Sequence, residues 1–253
     1  MFNPKTERIK RLSELFPKRI KELESILVGS VNIYIDYANV FRWQDKLKWH
    51  IDVKRLKQFL DSFSTIEEIK FYDGTLEGNK ESEEWITHIK SLGYCERTKP
   101  VKIMSFSINV SSIQRNSPAL LENFIKKSLL KKLDLETIEF LNSKLAELNS
   151  KGILCIENMK CNFDVEIGRD MLLDYERNKM DTYILWSGDS DFANPVKQLL
   201  KDGKKVFIFA TSRRVATELS EIGVPIFDIR KIKEFICWPK ELPQNVKSKI
   251  SNL

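Results

Sequence analysis

Short apolar runs rich in β-branched and aromatic residues recur along the chain, separated by stretches whose apolar positions fall at helical spacing. VNIYID (31–36), IEEIKFYDG (66–74), TYILW (182–186), KVFIFA (205–210) and PIFDI (225–229) predict strands. The intervening periodicity predicts helices from Asp52 to Phe63, Glu81 to Leu92 with Gly93 closing it, Asp164 to Asn178, Asp191 to Lys201, and Arg213 to Glu221. Residues 5–28 predict an amphipathic helix built on Ile9, Leu12, Leu15, Ile20, Leu23, Ile26 and Leu27, with a kink at Pro17. Its basic face is either solvated or an arm against nucleic acid. TKPVKIMSFSINV (98–110) predicts a strand or ribbon, and ILCIE (153–157) a return to the sheet edge. Between them the alternation breaks, and segments over 118–132 and 134–149 predict a helical hairpin inserted at about 111–151. The tail after Trp238 is polar, holds two prolines and is expected to fray.

Alternating helices and nearly uninterrupted apolar strands imply an α/β fold, a parallel sheet with helices on both faces. The expected organisation is an N-terminal helical extension (1–30), one α/β domain (31–236) carrying the insertion, and a C-terminal tail (237–253). Ligands of such sheets collect at the carboxyl ends of the strands. Asp36, Asp73, Asp189 and Asp191 each end or follow an apolar strand, so they gather there by position.

Three acids at one sheet edge are costly without a counter-charge if strands 31–36 and 182–186 are neighbours. Gly188 allows the sharp turn between TYILW and the two aspartates, and Asp191 opens a helix whose N–H groups offset part of its charge. On a helical wheel Val165, Gly168, Met171, Leu172 and Tyr175 share an apolar face that includes Asp164, whereas Asp170 and Asp174 point away. Asp164 is then either a helix cap or a fourth acid aimed at the same site. A hard divalent cation, Mg²⁺ or Mn²⁺, is the natural partner of such oxygen donors. A lone DxD also occurs in sugar transferases and phosphatases. The phosphatase version needs the second aspartate on the first strand, where this chain has Asp36-Tyr37-Ala38. No GxGxxG or GxxxxGK[ST] loop is present to cradle a nucleotide.

Composition narrows the classes. The 253 residues are 42% hydrophobic and 31% charged, enough for a sizeable core, and the net charge of +6 suits a polyanionic partner without requiring one. Cys95, Cys155, Cys161 and Cys237 form no CxxC pair, and His50 and His88 are the only histidines. A zinc finger and a disulfide framework are therefore not expected. MFNPKTERIKRL lacks the apolar core of a signal peptide, and no run approaches the ~20 residues needed to span a bilayer. A cytoplasmic protein without a membrane partner is expected.

IDYANV (35–40), KCNFDVEIGRDML (160–172), ILWSGDSDFANPVKQLLKDGKKVFIF (184–209) and the late PIFDI together resemble the NYN branch of the PIN-like nucleases. The likeness in order, spacing and strand position runs over about 31–110 and 152–236. The paired motifs I-D-x-x-N and S-G-D-x-D-F are its specific part. The resemblance implies a Rossmann-like sheet and a metal-dependent ribonuclease site. Asp36, Asp164, Asp189 and Asp191 match the acidic, metal-holding positions, and Asn39 matches the asparagine after the first strand. Ser187 matches the serine of the S-G-D turn, expected to steady that turn and border the substrate rather than to attack it. The spacing from Lys160 to Asp164 departs from tighter family forms.

For substrate grip, FRWQDKLKW (41–49) interleaves Arg42, Lys46 and Lys48 with Phe41, Trp43 and Trp49. Aromatics can stack on unpaired bases while cations follow phosphates; alternatively, the tryptophans pack against the next helix. Arg97, Lys99 and Lys102, and Arg213 with Arg214, stand near strand ends and are further candidates for phosphate. Lys126, Lys127, Lys131, Lys132 and Lys144 of the insertion form either a solvated face or a groove wall. The expected activity is Mg²⁺- or Mn²⁺-dependent hydrolysis of RNA, chiefly in single-stranded regions. A non-cleaving RNA-binding module and a DxD transferase stay open, as do a homo-oligomer and a protein partner recruited by the insertion.

Overall fold

The computed structural model describes residues 1–177, 180–211 and 215–250. They form two compact units, one of Met1–Pro100 with Cys161–Leu253 and one of Val101–Lys160. The first unit begins with α1 (Glu7–Leu15) and α2 (Pro17–Ile26). The helix expected over 5–28 is thus two: Phe16 leaves helical backbone, and Pro17 opens α2 in its first turn, where a missing N–H leaves no bond unmade. Ile9, Leu12, Ile20 and Leu23 are buried, so both helices belong to the core rather than forming a free arm. There follow β1 (Val31–Asp36), α3 (Tyr37–Leu47), α4 (Val53–Leu60), β2 (Ile66–Thr75), α5 (Lys80–Ser91) and β3 (Cys95–Pro100). Asp52 and Asn79 cap α4 and α5 by accepting from the N–H groups of Arg55 and Ser82.

The second unit contains β4 (Lys102–Ser107), a 3₁₀ turn (Leu121–Asn123), α6 (Lys127–Leu130), α7 (Leu135–Ser150) and β5 (Cys155–Lys160). Three expectations are corrected here. TKPVKIMSFSINV is not one strand: β3 ends at Pro100, and β4 pairs antiparallel with β5 in a separate ribbon, Ile103 opposite Met159 and Phe106 opposite Ile156. ILCIE accordingly does not rejoin the main sheet. The helix expected over 118–132 is a 3₁₀ turn and a single helical turn, so α7 alone represents the hairpin. A small cluster of Leu121, Leu130 and Ile138 is this unit's own core.

The first unit resumes with α8 (Asp164–Glu176), β6 (Thr182–Trp186), α9 (Ala193–Lys201), β7 (Lys205–Ala210), α10 (Thr217–Glu221), β8 (Ile226–Asp228), α11 (Lys233–Ile236) and α12 (Gln244–Ile250). Six parallel strands form its sheet in the order β3-β2-β1-β6-β7-β8. Helices flank it, as expected for a Rossmann-like fold. The central strands β1 and β6 are buried along their whole length, which is why they read as nearly continuous apolar runs, Asn32 and Asp36 of β1 being buried polar exceptions. Their approach depends on Gly29 at φ +75°: a Cβ there would stand 2.4 Å from Asp181 Oδ2, the oxygen that accepts from the Ser30 N–H and hydroxyl. The expected frayed tail is instead packed. Leu242, Val246 and Ile250 are buried, and Glu241 accepts from the His50 N–H at 2.7 Å.

Candidate active site

The strand order reverses between β1 and β6: β2 and β3 lie to one side, β7 and β8 to the other. A crevice outside the carboxyl ends at such a switch point is where α/β sheets take ligands. Asp36 ends β1 at this point, and Ser187, Gly188 and Asp189 leave β6 beside it.

Asp36 caps α3. Its carboxylate accepts from the Asn39 backbone N–H at 3.3 Å and from Ser187 Oγ at 3.1 Å, yet it is only 7% exposed. Burial pushes its pKa up to about 6; the Asn39 and Ser187 hydrogen bonds oppose the rise, Asp189 adds repulsion and Arg42 attraction. Ser187 Oγ also accepts from the Asp189 N–H at 3.3 Å, and Ser187 has no exposed surface. The hydroxyl therefore braces the two acids, and the expectation that Ser187 borders substrate is corrected. Asp189 in turn accepts from the Asp191 N–H at 3.3 Å at the start of a 3₁₀ turn (Ser190–Phe192).

Asp164 is the first residue of α8, and its N–H donates to Asn162 Oδ1 at 2.7 Å. Burial raises its pKa to about 6; Asn162 opposes that rise, and the Asp191 carboxyl, within hydrogen-bonding reach, and the Asp189 charge reinforce it. Repulsion thus links Asp36 to Asp189, and Asp164 to both Asp189 and Asp191. Among the described residues none of the four forms a salt bridge with a lysine, arginine or histidine.

Such hard oxygen donors, with no salt-bridge partner among the described residues, fit a divalent cation by chemistry. Their orientations do not form a cage in advance: among the described residues no three Asp, Glu, His or Cys side chains are arranged to hold a metal ion. Asp36 and Asp189 are each turned to a nearby hydroxyl or N–H.

The predicted face of α8 holds in part: Gly168 and Met171 are buried, but the acids and two of the apolar residues exchange sides. Asp170 and Asp174 point inward at 6% exposure each, whereas Val165 is 80% exposed and Leu172 also faces out. The reason is pairing. Asp174 Oδ2 accepts from Lys70 Nζ at 2.6 Å, Asn32 Nδ2 at 2.7 Å and the Tyr34 hydroxyl at 2.5 Å. Burial would raise the Asp174 pKa, but these three partners hold it below the usual carboxylate range. Asp170 accepts from the Tyr72 hydroxyl at 2.9 Å and Arg97 Nε at 3.4 Å. Asp73 turns elsewhere, accepting from Trp85 Nε1 at 2.9 Å.

Of the candidate substrate contacts, Arg42 and Lys46 are exposed on α3, and Asn39 is half-buried beside Asp36. Trp43 is corrected: at 3% exposure, like Trp49, its ring packs in the core and offers no face to a base. Phe41 is the exposed aromatic of that segment. Lys99 pairs with Glu166 at 2.6 Å and, with Asp164 and Asp191, lines a groove along α8. Lys102 lies on β4 in the second unit. Arg213 and Arg214 lie outside the described residues. Arg169, which also lines the groove, was missed because a single arginine on a helix carries no pattern of its own.

Residues 126–223 match the family model of the NYN domain. The match takes in Asp164, Ser187, Asp189 and Asp191; it begins within the second unit and does not reach IDYANV, leaving Asp36 and Asn39 outside. A crystal structure of a protein of unknown function from Vibrio parahaemolyticus aligns at a TM-score of 0.49 and 16% identity, over 82% of this chain and 96% of that one. No curated protein matches the chain.

Proposed function

We propose, from the premise that this chain carries an NYN domain, that it is a metal-dependent endoribonuclease acting on single-stranded RNA. NYN domains are nuclease-like members of the PIN-like superfamily, which supports phosphodiester hydrolysis in general. The observation that carries the finer reading is the gathering of Asp36, Asp164, Asp189 and Asp191 at the switch point without a basic partner among the described residues. Those four carboxylates would hold Mg²⁺ or Mn²⁺, which when bound supplies a Lewis acid to offset the phosphate charge.

The chain's own groups divide the remaining work. Ser187 and the Asn39 N–H fix the orientation of Asp36, and the Asp191 N–H fixes Asp189. Asp164, at the start of α8 and within hydrogen-bonding reach of the Asp191 carboxyl, would complete the shell or orient the attacking water. The Asn39 side chain can donate to a phosphate oxygen without adding charge. Arg42 and Lys46, exposed on the helix that Asp36 caps, would follow the backbone phosphates.

The test incubates labelled single-stranded RNA with Mg²⁺ or Mn²⁺, and separately with EDTA, using the parent protein, Asp36→Asn and Asp189→Asn. Cutting that needs the metal and disappears in both variants is expected. Tight, salt-sensitive retention of intact RNA would make the protein a binding module, and indifference to RNA would favour a DxD transferase.

A further inference from the structure

A groove of about 650 Å³ runs along the outer face of α8. Asp164 and Asp191 belong to its lining, so it is continuous with the acid cluster, and it extends to Leu172. Eight helical steps lead from Asp164 to Leu172, about 12 Å at the α-helical rise. Its volume lies in the range of ~300–1,000 Å³ that small organic ligands occupy.

Val165, Gly168 and Leu172 follow i, i+3, i+7 spacing and present one stripe to the groove, with Pro195 of α9 as its neighbour. Gly168 at the middle of the stripe is buried beside Pro195: an added Cβ would stand 3.5 Å from Pro195 Cγ, in ordinary contact. The exposure of Val165 is enforced by the opposite face. Rolling α8 to bury this valine would pull Asp174 from Lys70, Asn32 and Tyr34, and Asp170 from Tyr72. Two cations flank the apolar floor: Lys99, paired with Glu166 of the same lining at 2.6 Å, and Arg169, whose Nη2 is held 3.1 Å from Asp170 Oδ1. A flat aliphatic floor between cations and joined to a cluster of acids fits a group with a planar apolar face and an attached phosphate.

We infer that this groove is the subsite for the nucleoside adjacent to the scissile phosphate of single-stranded RNA, its base lying on Val165 and Leu172 and its phosphate facing Arg169 and Lys99. The inference rests on the nuclease reading above. It assigns the choice of the neighbouring nucleotide to α8, and gives an exposed valine on a helix otherwise anchored by buried acids a role in grip.

The test measures binding of fluorescein-labelled single-stranded RNA by anisotropy on the non-cleaving Asp189→Asn background, in parallel with cleavage by the parent. Gly168→Met fills the floor without adding charge and Val165→Ser removes its apolar cover; thermal unfolding confirms that each variant keeps the fold. A stacked base gives way at the scale of roughly tenfold in Kd, so Gly168→Met is expected to weaken binding about tenfold and Val165→Ser about threefold. Arg169→Ala is expected to lower the slope of log K against log salt by about 0.7, the loss of one phosphate contact on a single strand. Cleavage by the parent with Kd unchanged within about twofold in Gly168→Met overturns the subsite and leaves the nuclease reading standing. Failure of the parent to cleave or bind RNA overturns both.

Discussion

Replacing Asp36 by asparagine should stabilise the protein at pH 8 while abolishing its activity. The native carboxyl has a pKa of about 6 against an ordinary 3.8, chiefly because it is buried. Between those values the folded protein keeps a proton that the unfolded chain has released, so folding stability falls as pH rises through this window. The full cost stands above pH 6. A rise of about two units at ~1.36 kcal/mol each amounts to about 3 kcal/mol. Asparagine escapes this cost but supplies one oxygen where Ser187 and the Asn39 N–H approach two, a loss of about 1 kcal/mol. The variant is then expected to be about 2 kcal/mol more stable than the parent at pH 8 and nearly equal to it at pH 4.5. Urea unfolding in EDTA at the two pH values measures both differences, and comparing variant with parent cancels every other titrating group. Adding Mg²⁺ or Mn²⁺ at ~100 times its dissociation constant should stabilise the parent by about 2.7 kcal/mol and the variant far less. A variant that is less stable by the same amount at both pH values would refute the view that Asp36 is an uncompensated charge.

Removing an acid from the inner face of α8 should have the opposite effect. Asp174→Ala leaves Lys70, 4% exposed, without its buried counter-charge and should cost about 3–5 kcal/mol in urea unfolding; a loss below about 1 kcal/mol would show that the pair is dispensable. Trp43→Ala should cost about 3–5 kcal/mol of stability because the ring is buried, whereas Arg42→Ala on the same helix should change stability by less than ~0.5 kcal/mol and flatten the salt dependence of RNA binding. Equal stability of the two variants, read by thermal melts, would contradict the assignment of one to the core and the other to the surface.

The sheet was legible because β1, β2, β6 and β7 carry their own signal: each is an apolar run of strand length bounded by turn residues. Sheet membership was not, since a strand's residues do not name its partner. KIMSFS reads like a continuation of CERTKP, but Pro100 ends β3, and the partner of β4 lies some fifty residues on, in β5. The helix after Asp36 was not predicted because the aromatic and basic residues of 41–49 read as substrate grip and received no element; the cap that Asp36 offers to the Asn39 N–H was the available clue. The tail looked frayed because its two prolines and many polar residues dominate the reading, although Leu242, Val246 and Ile250 recur every four residues, a helical clue, and all three are buried.

The error on α8 is more instructive, because a helical wheel assigns acids to the water side by default. Here that assignment inverts, since Asn32, Tyr34, Lys70 and Tyr72 project from β1 and β2 and supply enough donors to draw Asp170 and Asp174 inward. The same helix therefore carries two kinds of aspartate. Those facing the sheet are satisfied by lysine, tyrosine and asparagine, and the Asp174 pKa falls; Asp164, at the helix start, meets two more acids, and its pKa rises. A buried acid held by a counter-charge and donors is costly to unpair, whereas several acids brought into one crevice without a salt bridge among the described residues weaken the fold unless something binds them. On that criterion the inner pair belongs to the scaffold, and Asp36, Asp164, Asp189 and Asp191 are the acids left for the proposed chemistry, a division that rests on each residue's partners and not on its spacing along the chain.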